Sequence, residues 1–496
     1  MCRIVNFLVF QLRSIKILVQ GSVAVFLDEP RSFGSKVTSR LQTYCPGVLR
    51  HFFEKVVARP LFRKDTRPNE AAERLLARRV YRGSGRIPAS KQGREPNLKP
   101  SVVYFATNSI PFTHSGYTER THQLMKALVR KGLEISVLTR LAYPLVVGRV
   151  PLYEERVIDG VPYRVAIPSQ FPISTVERER MMVEEIVEYA RSRNATMIHT
   201  TSDFRNAIVV SQAADRLGIP WIYEVRGEPE NSWLSRFPEE YRSLGLNSDF
   251  YKTSRVLELK AMQSADKVIT ISEVAKETLI ERGVDENKIF VIPNGIDAAL
   301  IGARYSTSEI RSLLNLQDRF TIGTITSLVN YEGISTLVEA MRHLPTMQCL
   351  IVGDGEEMSR LREQVRRSGL VDRVIFTGRV PSEEVWRYYA ALDVFVVPRI
   401  DSAVTRHVTP IKPLKALALG VSLAASDLPA LREVTGGFAC YFPPGDSRAL
   451  AETVKGLVDT SISTEQALAI DTFLRGRTWD SNAEKLINYY SGQRNL

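Results

Sequence analysis

From Ser101 onward the chain repeats one pattern: a short apolar run rich in Val, Ile and aromatic residues, a turn, then a longer amphipathic stretch. The first runs are Val102–Ala106, Ile135–Leu138, Tyr163–Ile167, Met197–His199, Trp221–Val225, Val268–Ile271 and Ile289–Ile292. Thr118–Lys131, Val176–Ser192 and Val256–Ser264 are among the amphipathic stretches between them. Strands apolar throughout need cover on both faces, and an intervening helix is the connection that sets successive strands parallel. The pattern predicts an α/β fold with a doubly wound sheet over 101–300. A second series follows Asn294-Gly295-Ile296-Asp297: Phe320–Ile325, Cys349–Val352, Val374–Phe376, Val394–Val397, Ser422–Ala425 and Ala439–Phe442. Helices are predicted at Ile334–His343, Glu357–Arg367, Glu383–Leu392 and Ile411–Leu419, giving a second Rossmann-like domain over 301–475. Two such domains are expected to face a cleft, with ligands beyond the carboxyl ends of the strands.

Residues 1–100 differ in kind. They hold 20 Lys and Arg against 7 Asp and Glu, so the whole-chain balance of +11 leaves the remainder at −2. Met1–Leu27 reads as a retained segment rather than a signal peptide, because Arg13 and Lys16 interrupt its apolar stretch. As a helix it places Asn6, Arg13, Lys16 and Gln20 on one arc, which suits either an anionic bilayer interface or packing on the main body. Gly83–Pro100 has the composition of a linker. The basic segment has no aromatic interleaving, zinc-finger spacing or RNA-binding motif, so an anionic membrane surface is the expected partner and nucleic acid is not. No apolar run reaches the roughly 18 residues of a spanning helix. Cys2, Cys45, Cys349 and Cys440 lie too far apart for a disulfide-dense scaffold or a zinc module, which points to a reducing, cytoplasmic setting.

Three loops offer ligand chemistry. Pro111-Phe112-Thr113-His114-Ser115-Gly116-Tyr117 joins a strand to a helix, where a glycine permits close backbone approach and helix-start N–H groups favour an anion. Val352-Gly353-Asp354-Gly355 is a similar turn in the second domain; neither is a P-loop, since no Gly-Lys-Ser/Thr follows. Most informative is the stretch from Val397-Pro398-Arg399 to Thr409-Pro410-Ile411-Lys412-Pro413-Leu414-Lys415. There a strand end, a loop and a proline-led helix bring Arg399, Lys412 and Thr409 into one neighbourhood suited to a diphosphate. Two solvated cations beside a buried helix would have the same sequence.

Taken in order, these motifs carry a resemblance covering about Ser101 to Tyr490. Ser115-Gly116-Tyr117, Glu224-Val225-Arg226-Gly227, Asn294-Gly295-Ile296-Asp297, Tyr331-Glu332-Gly333, Gly353-Asp354-Gly355, Gly378-Arg379-Val380, Arg399 and Thr409–Leu414 resemble the GT-B retaining glycosyltransferases of family 4. The similarity is greatest to a branch with a Thr-Pro-x-Lys-Pro-Leu-Glu helix. The resemblance implies a nucleoside-diphosphate sugar as co-substrate, with no cofactor and no metal. It implies donor binding by Arg399, Lys412, Lys415, Thr409, Gly353 and Gly355, with the base near Arg379 and Val380. It puts Gly116, His114 and Arg226 at the reacting groups, with a structural salt bridge as the other reading of Arg226, and makes Trp479–Tyr490, within 476–496, a helix crossing back to the first domain. Transfer would retain anomeric configuration, a diphosphate oxygen helping to deprotonate a glycan or lipid-linked acceptor.

Two positions depart from the family pattern: His407 and Lys415 stand where relatives carry glutamates. A carboxylate accepts two ribose hydroxyl hydrogen bonds and an ammonium accepts none. At about 1.5–3 kcal/mol per charge-assisted bond, the loss weakens nucleotide binding roughly ten- to a hundredfold. The expected activity is sugar transfer near the cytoplasmic face of a membrane. The alternative is a catalytically degenerate relative retained as a binding or scaffold protein.

Overall fold

A computed structural model of the chain describes residue 76 and residues 81–89, 100–458, 460 and 463–492. The expected amphipathic segment and most of the basic extension lie outside the described residues. Part of the stretch read as a linker is tied down: Ile87 is buried, Ser84 N–H donates to Glu179 Oε2 (2.9 Å) and Gln212 donates to Arg86 O. One apolar residue and two hydrogen bonds suffice to fix a Gly/Ser-rich segment that composition alone marks as free.

The chain divides into two compact units, and the division is interleaved. The first takes in the chain through Ile269, Ile280–Phe290 and the residues from Leu486; the second takes in Thr270–Leu279 and Val291–Lys485. The contiguous ranges 101–300 and 301–475 read from the sequence differ from these at the exchanged segments.

In the first unit β1 (Ser101–Ala106), β2 (Glu134–Thr139), β3 (Glu155–Ile158), β4 (Val161–Arg164), β5 (Met197–Thr201), β6 (Trp221–Val225), β7 (Lys267–Thr270) and β8 (Ile289–Val291) form one sheet, ordered 3-4-2-1-5-6-7-8. Central β1 is buried along its whole length and pairs parallel with β2 and β5. Strand β3 is antiparallel to β4 at the edge, joined through Asp159-Gly160 with both residues at positive φ, the two-residue hairpin that an Asp-Gly pair favours. The crossovers include α1 (Gly116–Arg130), α2 (Thr175–Ser192), α3 (Phe204–Leu217) and α4 (Asp249–Ser264). Helix α1 starts at a Ser115–Thr118 capping box and buries Leu124, Met125, Ala127 and Leu128, a spacing that gives one apolar stripe.

In the second unit β9 (Thr321–Ile325), β10 (Gln348–Val352), β11 (Val374–Gly378), β12 (Val394–Val397), β13 (Ser422–Ser426) and β14 (Cys440–Phe442) form a parallel sheet ordered 11-10-9-12-13-14. The strand order reverses between β9 and β12, where the connections leave on opposite sides and their loops part. Helices α5 (Ile334–Ala340), α6 (Met358–Arg367), α7 (Ala403–His407) and α8 (Lys412–Ala418) follow β9, β10 and β12. Pro413 in the first turn of α8 and Gly420 at φ 74° just beyond its end match its sequence signals. Leu414 is fully buried, and a large apolar side chain there contributes about 1.5–3 kcal/mol. Helix α9 (Trp479–Tyr490) begins in the second unit and ends in the first. Among the described residues no helix is long and apolar enough to cross a membrane.

Candidate functional site

At the reversal point of the second sheet four side chains from two strand ends converge. Thr326 is the first residue after β9, Glu332 lies six residues further on, Arg399 follows β12, and Lys412 opens α8. The approach of the two loops depends on Gly333: its φ is 69°, and a Cβ there would lie 1.8 Å from Pro398 O. Ile400 N–H donates to Tyr331 O, so Glu332 is held beside Arg399 across 67 residues of sequence. The Arg399 Nη2 donates to Glu332 Oε1 at 2.7 Å, and Nη1 donates to Val408 O at 2.8 Å. Lys412 Nζ donates to Thr326 Oγ1 at 2.7 Å and lies 3.9 Å from Glu332 Oε1.

Charge accounting decides what this cluster presents. Burial opposes ionisation of Glu332, but Arg399 and Lys412 outweigh it and bring its carboxyl down to about 2. Two cations and one carboxylate leave a single net positive charge. Arg399 and Glu332 are 5% and 6% exposed, whereas the Lys412 side chain is 30% exposed. The net charge therefore faces outward at Lys412. The Arg399 guanidinium is engaged inside the unit, and the Lys412 side chain is the more exposed of the two cations.

The other expected donor residues fall nearby for different reasons. Gly353 sits at φ 135° with its Cα against Thr326 O, where a Cβ would approach to 1.8 Å; at Gly355 a Cβ would meet Leu328 O at 2.3 Å. These glycines let the loops after β9 and β10 be stitched together, through Thr326 N–H to Val352 O and Leu328 N–H to Asp354 O. Backbone crossing is what the structure requires of them. Thr409 is buried with its carbonyl accepting from Asn294 Nδ2 at 2.9 Å, while its hydroxyl has no hydrogen-bond partner among the described residues. Lys415 lies one turn after Lys412 on the same helix and is half-buried, so two ammonium groups share a face where a carboxylate was expected. Arg379 is exposed and Val380 half-buried at the end of β11.

In the first unit the Gly116 turn is exposed, with His114 on its outer side. Tyr143 OH braces the turn, donating to Ser109 O at 2.6 Å and accepting from Ser109 N–H. Gly116 itself has no positive φ, and a Cβ there would meet nothing within 4 Å. Arg226 is buried in a salt bridge, the alternative to a place beside the reacting groups. It donates to Glu224 Oε2 (2.6 Å), Thr121 Oγ1 (2.7 Å) and Tyr117 O (2.9 Å), and Arg120 donates to Glu224 Oε1 (2.9 Å). Burial opposes ionisation of Glu224, but the two guanidiniums hold its carboxyl well below the usual carboxylate range. Arg226 thus reaches the Gly116 turn only by anchoring Tyr117 from behind. His199 is fully buried, its Nδ1 2.6 Å from Tyr490 OH and its Nε2 3.6 Å from Glu224; burial lowers its pKa to about 4, keeping it neutral.

Sequence reasoning missed Thr326 and Glu332 as members of the cluster. The available signal was position: Thr326 immediately follows the strand at which the order reverses.

Comparison with known proteins agrees with this architecture. Residues 115–295 match the model of the glycosyl transferase 4-like domain and residues 319–460 that of glycosyl transferases group 1. The two matches cover successive stretches of the chain and together support a glycosyltransferase of the group 1 type. Among curated relatives it is 26% identical to the alpha-monoglucosyldiacylglycerol synthase of Streptococcus pneumoniae over 50% of this chain and 55% of that protein. It is also 26% identical to the 2-deoxystreptamine N-acetyl-D-glucosaminyltransferase of Streptomyces fradiae, over 46% of this chain and 56% of that one. The chain thus spans little more than half the length of these relatives. Among solved structures, sucrose-phosphate synthase from Thermosynechococcus elongatus aligns with a TM-score of 0.64 at 22% identity, covering 79% of this chain and 98% of that one. HepE of Anabaena in complex with UDP aligns at 0.61 and 18%, covering 79% and 100%. At these identities the likeness defines the fold, which is GT-B.

Proposed function

We propose that this protein transfers a sugar from a nucleoside-diphosphate donor to a glycan or lipid-linked acceptor, with retention of anomeric configuration and without a metal. The single observation carrying the reading is the net positive charge presented at Lys412 where the second sheet's strand order reverses. A departing diphosphate needs charge stabilisation by groups already in place, and an ammonium anchored on a buried carboxylate supplies it without reorganisation. The base lies along the Arg379-Val380 backbone, Thr409 and Lys415 flank the phosphates, and a diphosphate oxygen takes the acceptor's proton. On the first unit, Gly116 and His114 are the exposed groups offered to substrate. HepE of Anabaena, a protein of the same fold, has been solved in complex with UDP and with UDP-glucose, which supports a nucleotide-sugar donor.

Calorimetric titration of the full chain with UDP, GDP and ADP tests the reading, and binding of at least one is expected. A ligand at about a hundred times its dissociation constant also raises stability by about 2.7 kcal/mol, visible in thermal melting. Binding of none would exclude transfer from such donors. A second reading, a retained scaffold without donor binding, is favoured by Lys415 alone. On that reading Lys415→Glu creates nucleotide affinity; on ours it weakens an existing affinity by removing a cation beside the phosphates. The basic segment 1–100 is proposed to bind anionic membranes peripherally. Sedimentation with anionic vesicles, weakening as salt rises, checks this, and equal binding to neutral vesicles would refute it.

A further inference from the structure

The Lys412–Thr326–Glu332 contacts have a direction. An ammonium has only hydrogens to give, so Thr326 Oγ1, 2.7 Å from Lys412 Nζ, must accept. The Glu332 carboxylate lies beside the same ammonium, 3.9 Å from Lys412 Nζ. Glu332 in turn is locked by the Arg399 guanidinium, itself fixed by Val408 O. Direct contact between ammonium and carboxylate is too long for a hydrogen bond at 3.9 Å, whereas the Thr326 hydroxyl holds the end of the lysine stem at hydrogen-bond distance. Thr326 is 6% exposed and its backbone N–H is bonded to Val352 O, so the residue itself is held in place within the unit.

Resting on the reading that the second unit binds a nucleoside diphosphate, we propose that Thr326 is a positioning residue: its hydroxyl accepts from Lys412, holds the ammonium beside the Glu332–Arg399 pair and thereby aims it at the diphosphate. Thr326 touches no substrate atom in this scheme. Its effect passes through Lys412 and is confined to recognition of the second phosphate. A lysine without this anchor loses rotamer freedom on binding that the anchored one has already surrendered.

The test uses the full chain and four variants: Thr326→Val, which keeps the shape and removes the hydroxyl, Thr326→Ser, which keeps the hydroxyl, Lys412→Met, and the double variant Thr326→Val/Lys412→Met. Affinities for UDP, GDP and ADP are measured by calorimetry beside those for UMP, GMP and AMP. Thr326→Val is expected to weaken diphosphate binding about tenfold, equivalent to about 1.4 kcal/mol, with monophosphate binding changed by less than about threefold. Thr326→Ser restores diphosphate affinity, and in the Lys412→Met background Thr326→Val has no further effect. The proposal is overturned if Thr326→Val binds diphosphates as the wild type does, or loses di- and monophosphates alike. It is equally overturned if its effect adds to that of Lys412→Met, or if serine fails to restore binding. A wild-type chain that binds none of the three diphosphates refutes the transferase reading itself, and the positioning role with it.

Discussion

Gly116→Ala separates a structural need for glycine from a functional one. Glycine is required where φ is positive or where a neighbour occupies the Cβ position, and at Gly116 neither holds: a Cβ there meets nothing within 4 Å. The residue opens a 15-residue helix already capped by Ser115, where alanine is the better helix former. Within the protein alone the substitution should stabilise by about 0.4–1 kcal/mol, chiefly by restricting the unfolded chain. For a unit of this size that is roughly 1–4 °C in melting temperature. A substrate group packed against the bare Cα, however, would meet a methyl carbon displaced by about 1.5 Å. Overpacking of that kind costs about 1–3 kcal/mol, which is roughly a five- to 150-fold loss in kcat/KM. Thermal melting and transfer activity on the same preparation give both numbers. A variant that is more stable and at least fivefold less active supports substrate approach at Gly116. Unchanged activity would refute it, and a lower melting temperature would show that the turn's geometry has been misread.

Two further outcomes follow from the buried charges. Glu332→Gln leaves the Arg399 guanidinium buried without its counter-ion and should cost about 3–5 kcal/mol, roughly 6–20 °C in melting temperature, so a variant melting like the wild type would show that Arg399 does not depend on Glu332. For His199, the folded pKa of about 4 lies below the ordinary 6.5, so the unfolded chain binds the extra proton first and stability falls as pH drops from about 6.5 to 4, by about 3 kcal/mol in all. Glu258, whose carboxyl burial pushes up to about 8, acts with the opposite sign between about pH 4.5 and 8. The measurement is therefore the difference between wild type and His199→Asn in denaturant titrations across that range; a pH-independent difference would mean that His199 is not held neutral.

The sheets were legible because parallel strands buried on both faces leave unbroken apolar runs, as β1, β10 and β12 do. Strand β3 was not, because its residues are exposed or half-exposed and show no alternation, although Asp159-Gly160 marked its hairpin. Lys412 and Arg399 could be found because each stands where a strand has just ended or a helix begins. What could not be read was which of them faces outward, since that depends on Glu332, 67 residues from Arg399 and brought to it by sheet topology. Gly353 and Gly355 were visible as glycines, but the carbonyls that demand them, Thr326 O and Leu328 O, belong to a different strand's loop. Arg226 stood in a motif that matched relatives, and only its burial beside Glu224 shows that it acts behind the turn rather than at its surface.

The Tyr490–His199 contact bears on the order in which a ribosome-borne chain can mature. The interior of the first unit holds a neutral imidazole whose partner hydroxyl arrives 291 residues later, and Lys267 likewise awaits the Tyr489 carbonyl. Until those last turns emerge, the nascent first unit carries an incomplete polar interior while the whole of the second is being translated. Its final consolidation thus waits on synthesis of α9, and a chain truncated before α9 would lack the Tyr490 hydroxyl and the Tyr489 carbonyl that this interior uses.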